Sequence, residues 1–355
     1  MLDKLKMPLA GILFAVVSIV LFTMGNPFNV GLCVACFLRD IAGALGLHGF
    51  TSGMYARPEI MGLVLGAMII SLITREFSSK GGSAPITRFV LGACVVIGAL
   101  IFLGCPTGMM LRIAGGDFNA IVGLFGFVAG ILVGMFFLNK GFSLKRAYKI
   151  SNSDGFALPV MSVLLLVALI FFPTLLNFSE AGFASFRAPL IVSLAAGLIM
   201  GGVGFISRLC FVAGIRDSIF FKNFAMLSAF VAFLVVLVIG NIIFGYFNLG
   251  FQNQLIAHTD GLWNFLGMAL VGLGSVLLGG CPFRQLIMAG SGNTDSVATV
   301  FGMVFGGMIA HNFALASVPG QMGANAPVGF AIAAAIVLTI AVYNTFFNKP
   351  TDKGI

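Results

Sequence analysis

Ten apolar runs, each roughly 17–25 residues long and so matched to the hydrocarbon thickness of a bilayer, constrain this chain more than any other feature. They lie near 7–23, 58–74, 87–104, 118–138, 158–176, 187–204, 224–247, 261–280, 294–314 and 327–347. In 355 residues that are 59% hydrophobic and 8% charged, one soluble core cannot hide so much apolar surface, and lipid must serve as the solvent. The 47 glycines and 38 phenylalanines agree, because glycine lets helices approach closely in lipid and phenylalanine fills lipid-facing grooves. The expected fold class is an all-α integral membrane protein of about ten transmembrane helices. A formal net charge of +8 does not imply nucleic acid as a partner, since such binding needs a dense basic face and these cations are scattered between apolar runs.

The charges instead set direction. With the N-terminus in the cytoplasm, the inside loops hold Lys4, Lys6, Arg75, Lys80, Arg88, Lys140, Lys145, Arg146, Lys149, Arg208, Arg216, Lys222, Arg284, Lys349 and Lys353, and the outside keeps Arg39, Arg57, Arg112 and Arg187. Fifteen against four predicts both termini inside. The first run follows Lys4 and Lys6 as a signal peptide would, but no small-residue cleavage site follows and Asn26-Pro27-Phe28 reads as a helix end. The basic run from Lys140 to Lys149 reads as a topology signal on a cytoplasmic connection, with phospholipid contact as the alternative.

The chain also repeats itself. Residues 104–134 align without gaps on 280–310, matching Gly104/Gly280, Cys105/Cys281, Pro106/Pro282, Gly116/Gly292, Phe125/Phe301, Gly126/Gly302, Val128/Val304 and Gly130/Gly306. An earlier stretch matches Gly25/Gly202, Phe28/Phe205, Cys33/Cys210, Arg39/Arg216 and Asp40/Asp217. Matching spans are five crossings apart, and an odd number inverts the copy, an arrangement recurrent in transporters. The expected division is a first inverted repeat over 1–138, a basic loop and linker helix over 139–186, a second repeat over 187–314, and a final helix and cytoplasmic tail over 315–355.

Four stretches are too polar and glycine-rich to cross lipid yet too apolar for open loops: 29–42, 106–117, 207–223 and 282–293. They are expected to be re-entrant half-helices dipping in from both faces. Pro106 and Pro282 suit first helical positions, where a missing N–H costs nothing. The free N–H groups and positive dipole of such helix starts favour an anion near Cys105 and Cys281. Of six cysteines, Cys33, Cys105, Cys210 and Cys281 fall on repeat-matched positions, while Cys94, inside a span, reads as packing. Cys33-Val-Ala-Cys36 has redox-dithiol spacing, but Ala213 stands where Cys36 aligns, so Cys36 reads as structural. Without a second Cys-x-x-Cys, and with His48, His258 and His311 far off in sequence, no metal site is expected.

Charges at membrane depth are costly and usually have a task. Arg39-Asp40 and Arg216-Asp217 recur in both copies; because adjacent helical residues do not face one another, each is expected to pair elsewhere and lock its half-helix. Arg112 and Arg284 sit near half-helix ends, each either an attractor for an anion or a topology charge. Asp295 and His311 read as residues bonding neighbouring backbone rather than as proton carriers.

The segments Gly25 to Asp40 with Cys33, Gly104-Cys105-Pro106, Leu209-Cys210 with Arg216-Asp217, and Gly279-Gly280-Cys281-Pro282-Phe283-Arg284 resemble the YeeE/YedE family of bacterial membrane proteins over nearly the whole chain. Within that family they look most like YedE-type members associated with selenium metabolism. The resemblance implies an inner-membrane transporter or channel, not an enzyme, for a small sulfur- or selenium-containing anion such as thiosulfate, passed through an hourglass-shaped path. Position by position, Cys105, Cys210 and Cys281 match the family's path cysteines, Cys33 is the remaining repeat-matched one, and Arg284 is counted with them. No catalytic residue, cofactor or metal is implied; the partners are the anion, the bilayer and a candidate cytoplasmic sulfur- or selenium-transfer protein.

The physics of the residues is compatible. An anion entering an apolar neck loses water hydrogen bonds that need substitutes, and thiols donate weakly enough to release it again. The membrane potential opposes anion entry by about 2.3 kcal/mol per charge per 100 mV, so uptake requires consumption inside or a coupled cation. The rival reading is a carrier that takes sulfur as a cysteine persulfide and hands it to a cytoplasmic acceptor, which needs a charged sulfur that an apolar neck disfavours. A third is a passive membrane partner of a soluble sulfur-transfer protein.

Overall fold

The computed structural model describes residues 2–347, with side chains from Leu5 onward. Lys349 and Lys353, and the side chain of Lys4, all counted above as inside charges, lie outside the described residues. In chain order the helices are α1 (Leu2–Thr23), α2 (Val34–Ala44), α3 (Pro58–Ile73), α4 (Pro85–Phe102), α5 (Pro106–Ala114), α6 (Phe118–Asn139), the single turn α7 (Asn152–Gly155) and α8 (Ala157–Phe171). They continue with α9 (Leu190–Ser207), α10 (Phe211–Phe220), α11 (Ala225–Ile243), α12 (Gly261–Leu278), α13 (Pro282–Gly290), α14 (Thr294–Asn312) and α15 (Ala326–Val342). Two short strands, β1 (Lys80–Gly81) and β2 (Tyr148–Lys149), pair antiparallel.

A helix lies over each of the ten apolar runs. Seven stretches are long and apolar enough to cross a membrane: Leu5–Thr23, Pro85–Ala114, Phe118–Asn139, Leu190–Phe220, Ala225–Ile243, Gly261–Gly290 and Ala326–Phe347. The chain is therefore a multi-pass, all-α membrane protein. Helices α3 and α8 are apolar but shorter, and α14 carries Asp295, Ser296, Thr299 and His311, which dilute its hydropathy.

Helices α2, α5, α10 and α13 have 9–11 residues, which at 1.5 Å per residue is about 14–17 Å, half of the roughly 30 Å a span needs. One local device starts all four. A residue with left-handed backbone, Gly31 (φ 36°), Leu103 (φ 66°), Arg208 (φ 52°) or Gly279 (φ 80°), breaks the preceding segment. Two residues later comes a cysteine in extended conformation, and this cysteine is the N-cap of the short helix. Glycine takes such a φ without strain, whereas Leu103 and Arg208 do so at a cost that the surrounding packing must offset.

The long helices pack in pairs, α6 on α12, α4 on α14, α3 on α9 and α1 on α11, with α4 also against α12. Glycines make the close approaches. A Cβ added at Gly126 would strike the Phe265 carbonyl oxygen, and one at Gly302 would strike that of Phe89. Connecting loops meet in two groups. In one, Asn177 N–H donates to Ala44 O, Ser179 to Met54, Gly250 to Gly116 and Gly320 to Ala257. In the other, Lys80 pairs with Lys149 and bridges Asn293, Ser78 N–H donates to Ser291 O, and Arg208 lies 3.8 Å from Glu76.

Because backbone rather than a flexible side chain faces them, Gly126→Leu and Gly302→Leu are expected to cost about 1–3 kcal/mol each, read as a lower thermal unfolding midpoint in detergent. Gly49→Ala, where a Cβ meets nothing within 4 Å, is expected to leave the midpoint unchanged.

Candidate functional site

The cysteines that cap the four short helices come together two by two. Cys33 Sγ lies 3.8 Å from Cys105 Sγ, and the Cys105 N–H donates to Cys33 Sγ at 3.3 Å. In the same sense Cys210 and Cys281 meet thiol to thiol, with the Cys281 N–H directed at the Cys210 sulfur. All four are buried, within one continuous apolar cluster.

Each pair forms where two short helices begin. The N–H groups of Thr107 and Gly108 on α5 and of Ala35 on α2 face the Cys105 sulfur without closing a cap hydrogen bond. Those of Arg284 on α13 and Phe211 on α10 face Cys281 likewise. Two helix starts thus direct donors and positive dipole ends at one buried point, an arrangement that favours an anion. Arg284 adds a full charge. Half-buried in the first turn of α13, it acts electrostatically on both Cys210 and Cys281, and among the described residues it makes no ion pair. Its repeat-matched position is Gly108, where a Cβ would stand 3.0 Å from Cys33 Sγ.

Cys36 lies beside the first pair. Its Sγ lies 2.7 Å from that of Cys33, so the first copy holds three thiols and the second two. Cys94 instead sits in the apolar surroundings of α4, beside Phe89 and Phe305 and far from helix starts.

The repeated charges depart from expectation. Arg39 Nη2 and Nε bond the carboxylate of adjacent Asp40 at 2.6 and 3.0 Å, and Arg216 Nε bonds adjacent Asp217 at 2.7 Å. Each guanidinium arm is long enough to fold back on its neighbour, which helical side-chain spacing alone did not anticipate. A cation the sequence reading counted only for topology completes the first cluster: Arg57 Nε reaches Asp40 Oδ2 at 2.8 Å, with its guanidinium 4.4 Å from the Phe37 ring centre. The signal was present in Arg57-Pro58-Glu59, two charges opening an apolar helix, where Glu59 is buried and accepts from Asn26 and Ser193.

Arg112 is consumed structurally. It bonds Asp117 at 2.7 Å and the Phe102 carbonyl at 2.7 Å and stacks over the Phe102 ring, fixing the turn from α5 to α6. Asp295 accepts from the N–H groups of Gly82 and Ser83. His311 stacks on Phe50 and lies tilted against His48. In the loops, burial pushes the imidazoles of His48 and His258 below their ordinary value; each bonds a carbonyl, of Arg39 and Ile101 respectively.

The fold defines a multi-pass, all-α membrane protein in which buried cysteines meet in two pairs. Residues 206–347 match the family model for sulphur transport, a stretch that includes Cys210, Cys281 and Arg284. No curated protein matches the chain.

The Arg39 and Asp40 side chains are 7% and 1% exposed, and Arg216 and Asp217 are 34% and 23% exposed. Asp40→Asn, which strands two buried cations, is expected to cost about 3–5 kcal/mol, whereas Asp217→Asn is expected to cost under about 1 kcal/mol. Thermal unfolding of the two variants in detergent checks the contrast.

Proposed function

We propose that this protein is an inner-membrane transporter or channel that passes a small sulfur- or selenium-containing anion, thiosulfate-like in size and charge, between its two thiol pairs. The observation that carries the reading is the convergence of two uncapped helix starts on each pair, with Arg284 beside the second. The N–H groups replace part of the anion's hydration, and the thiols Cys33, Cys105, Cys210 and Cys281 add donors weak enough to let it go. The match of residues 206–347 to a sulphur transport family supports the chemical class of the cargo.

The architecture proposed is two inverted repeats, over 1–138 and 187–314, with α2, α5, α10 and α13 as re-entrant half-helices; residues 139–186 link the repeats and 315–355 form the last helix and tail. Exchanging each helix for its repeat mate turns α6 on α12 into α14 on α4, and α3 on α9 into α11 on α1, all of them packed pairs. The glycine approaches exchange too, since Phe265 and Phe89, struck from Gly126 and Gly302, are separated by the same 176 positions. Both termini are proposed to be cytoplasmic, and the two loop groups agree with the inside and outside sets that the charge count assigns. YedE-type selenium chemistry is the finer proposal within this reading, and a cytoplasmic sulfur- or selenium-transfer protein is the proposed acceptor.

Purified protein in liposomes, offered thiosulfate, sulfite, selenite and sulfate separately, tests the reading. Saturable thiosulfate flux is expected, falling about tenfold or more in Cys281→Ala, in keeping with the roughly 1–3 kcal/mol cost of an unmade hydrogen bond in a dry site. Cys281→Ser, which keeps a donor, is expected to retain part of the flux. Equal leakage of all four anions would refute selective passage, and complete loss in the serine variant would favour covalent persulfide transfer instead.

A further inference from the structure

The second copy manages with two thiols where the first holds three. Cys36 occupies the position matched by Ala213, so the half-helix geometry does not need a sulfur there. Yet its Sγ lies 2.7 Å from Cys33 Sγ, nearer to Cys33 than Cys105 is at 3.8 Å. Cys36 also faces somewhere no other of these thiols does. It lines a small cavity with Arg39, Asp40, Phe50 and Arg57, roofed by loop residues 317–319 and about 20 Å³ in volume. A site of roughly 10–15 Å³ holds one water. A water-sized reagent therefore fits beside Cys36, and a bulky disulfide does not.

We propose that Cys33 and Cys36 are a redox modification site for water-sized peroxides, closing to a disulfide that withdraws Cys33 from Cys105 and shuts the path. The Cys36 sulfur attacks one oxygen of hydrogen peroxide. The O–O bond breaks, the departing oxygen takes the thiol proton and leaves as water, and Cys36 becomes a sulfenic acid. The Cys33 thiol then attacks that sulfur; the S–O bond breaks, the hydroxyl leaves with the Cys33 proton as a second water, and the S–S bond forms. In sum two thiols and one peroxide give one disulfide and two waters. Oxidised Cys33 has no S–H to offer an anion, and its sulfur is committed to Cys36. The Cys210 and Cys281 pair lacks a third thiol and a counterpart of this cavity lining residue, so the control acts on one copy alone.

The inference rests on the reading of Cys33 as a path residue, and its test separates the two. Full-length protein in liposomes is treated with hydrogen peroxide or with oxidised glutathione, then alkylated, digested and mapped by mass spectrometry, while thiosulfate flux is followed in parallel. Expected are a Cys33–Cys36 linkage with peroxide and not with oxidised glutathione, about a tenfold fall in flux, and Cys36→Ala keeping its flux within about twofold in peroxide. Ala213 in the matched position indicates that the helix start accepts alanine. A map with both thiols free, with Cys33 joined to Cys105, or with Cys36 overoxidised would overturn the proposal, as would full flux through the linked protein. If reduced protein carries no thiosulfate at all, the transport reading fails while the disulfide map still decides the modification site.

Discussion

Four helices that begin inside an apolar core leave their first N–H groups with no intrahelical partner and little water to turn to. Everything else in the structure accommodates that constraint. The usual remedy is an Asp, Asn or Ser cap, and the chain uses it where it can afford permanence: Asp117 accepts from Asn119 N–H at the start of α6, and Asn293 from Ser296 N–H at the start of α14. At the four short helices it places cysteine instead, with no cap bond closed. A soft, weakly bonding atom leaves the donors available, and a donor left available at a buried point is a binding site in waiting for an anion.

Holding helix starts open requires rigid surroundings. Around the first pair this comes from the Arg39, Asp40 and Arg57 cluster, in which one carboxylate ties two guanidinium groups from α2 and the start of α3. Arg57 extends the tie to the carbonyls of Phe183 and Phe186, joining the loop between α8 and α9 to the same point. Buried ion pairs contribute little net stability over an apolar replacement but are costly to break, which suits them to fixing geometry. Around the second pair stand the partly exposed Arg216 and Asp217 pair and Arg284, whose charge acts on both thiols. The four short helices thus share one backbone device, while the charges around the two thiol pairs differ.

Much of this was legible in the amino-acid sequence. The ten apolar runs each became a helix, and the polar, glycine-rich stretches after four of them contain the short helices α2, α5, α10 and α13, because length, hydropathy and breaker residues are local properties. That Cys33, Cys105, Cys210 and Cys281 stand at breaks between long and short apolar segments could be read along the chain. What could not be read was which thiol meets which. Cys33 and Cys105 are 72 positions apart, and Cys210 and Cys281 are 71 apart, and only the meeting of the starts of α2 and α5, and of α10 and α13, brings them into contact.

Sequence by itself determined that lipid is the solvent, that the chain is helical, and that cysteines stand at breaks between long and short segments; these rest on composition and on backbone preferences a few residues wide. Tertiary packing alone decided that Arg57, at the start of α3, closes the Arg39 and Asp40 cluster, and that Cys33 meets Cys105 and Cys210 meets Cys281. Such choices depend on how desolvated charges and sulfurs find partners across helices, and no periodicity along the chain encodes the distance between two side chains on different segments.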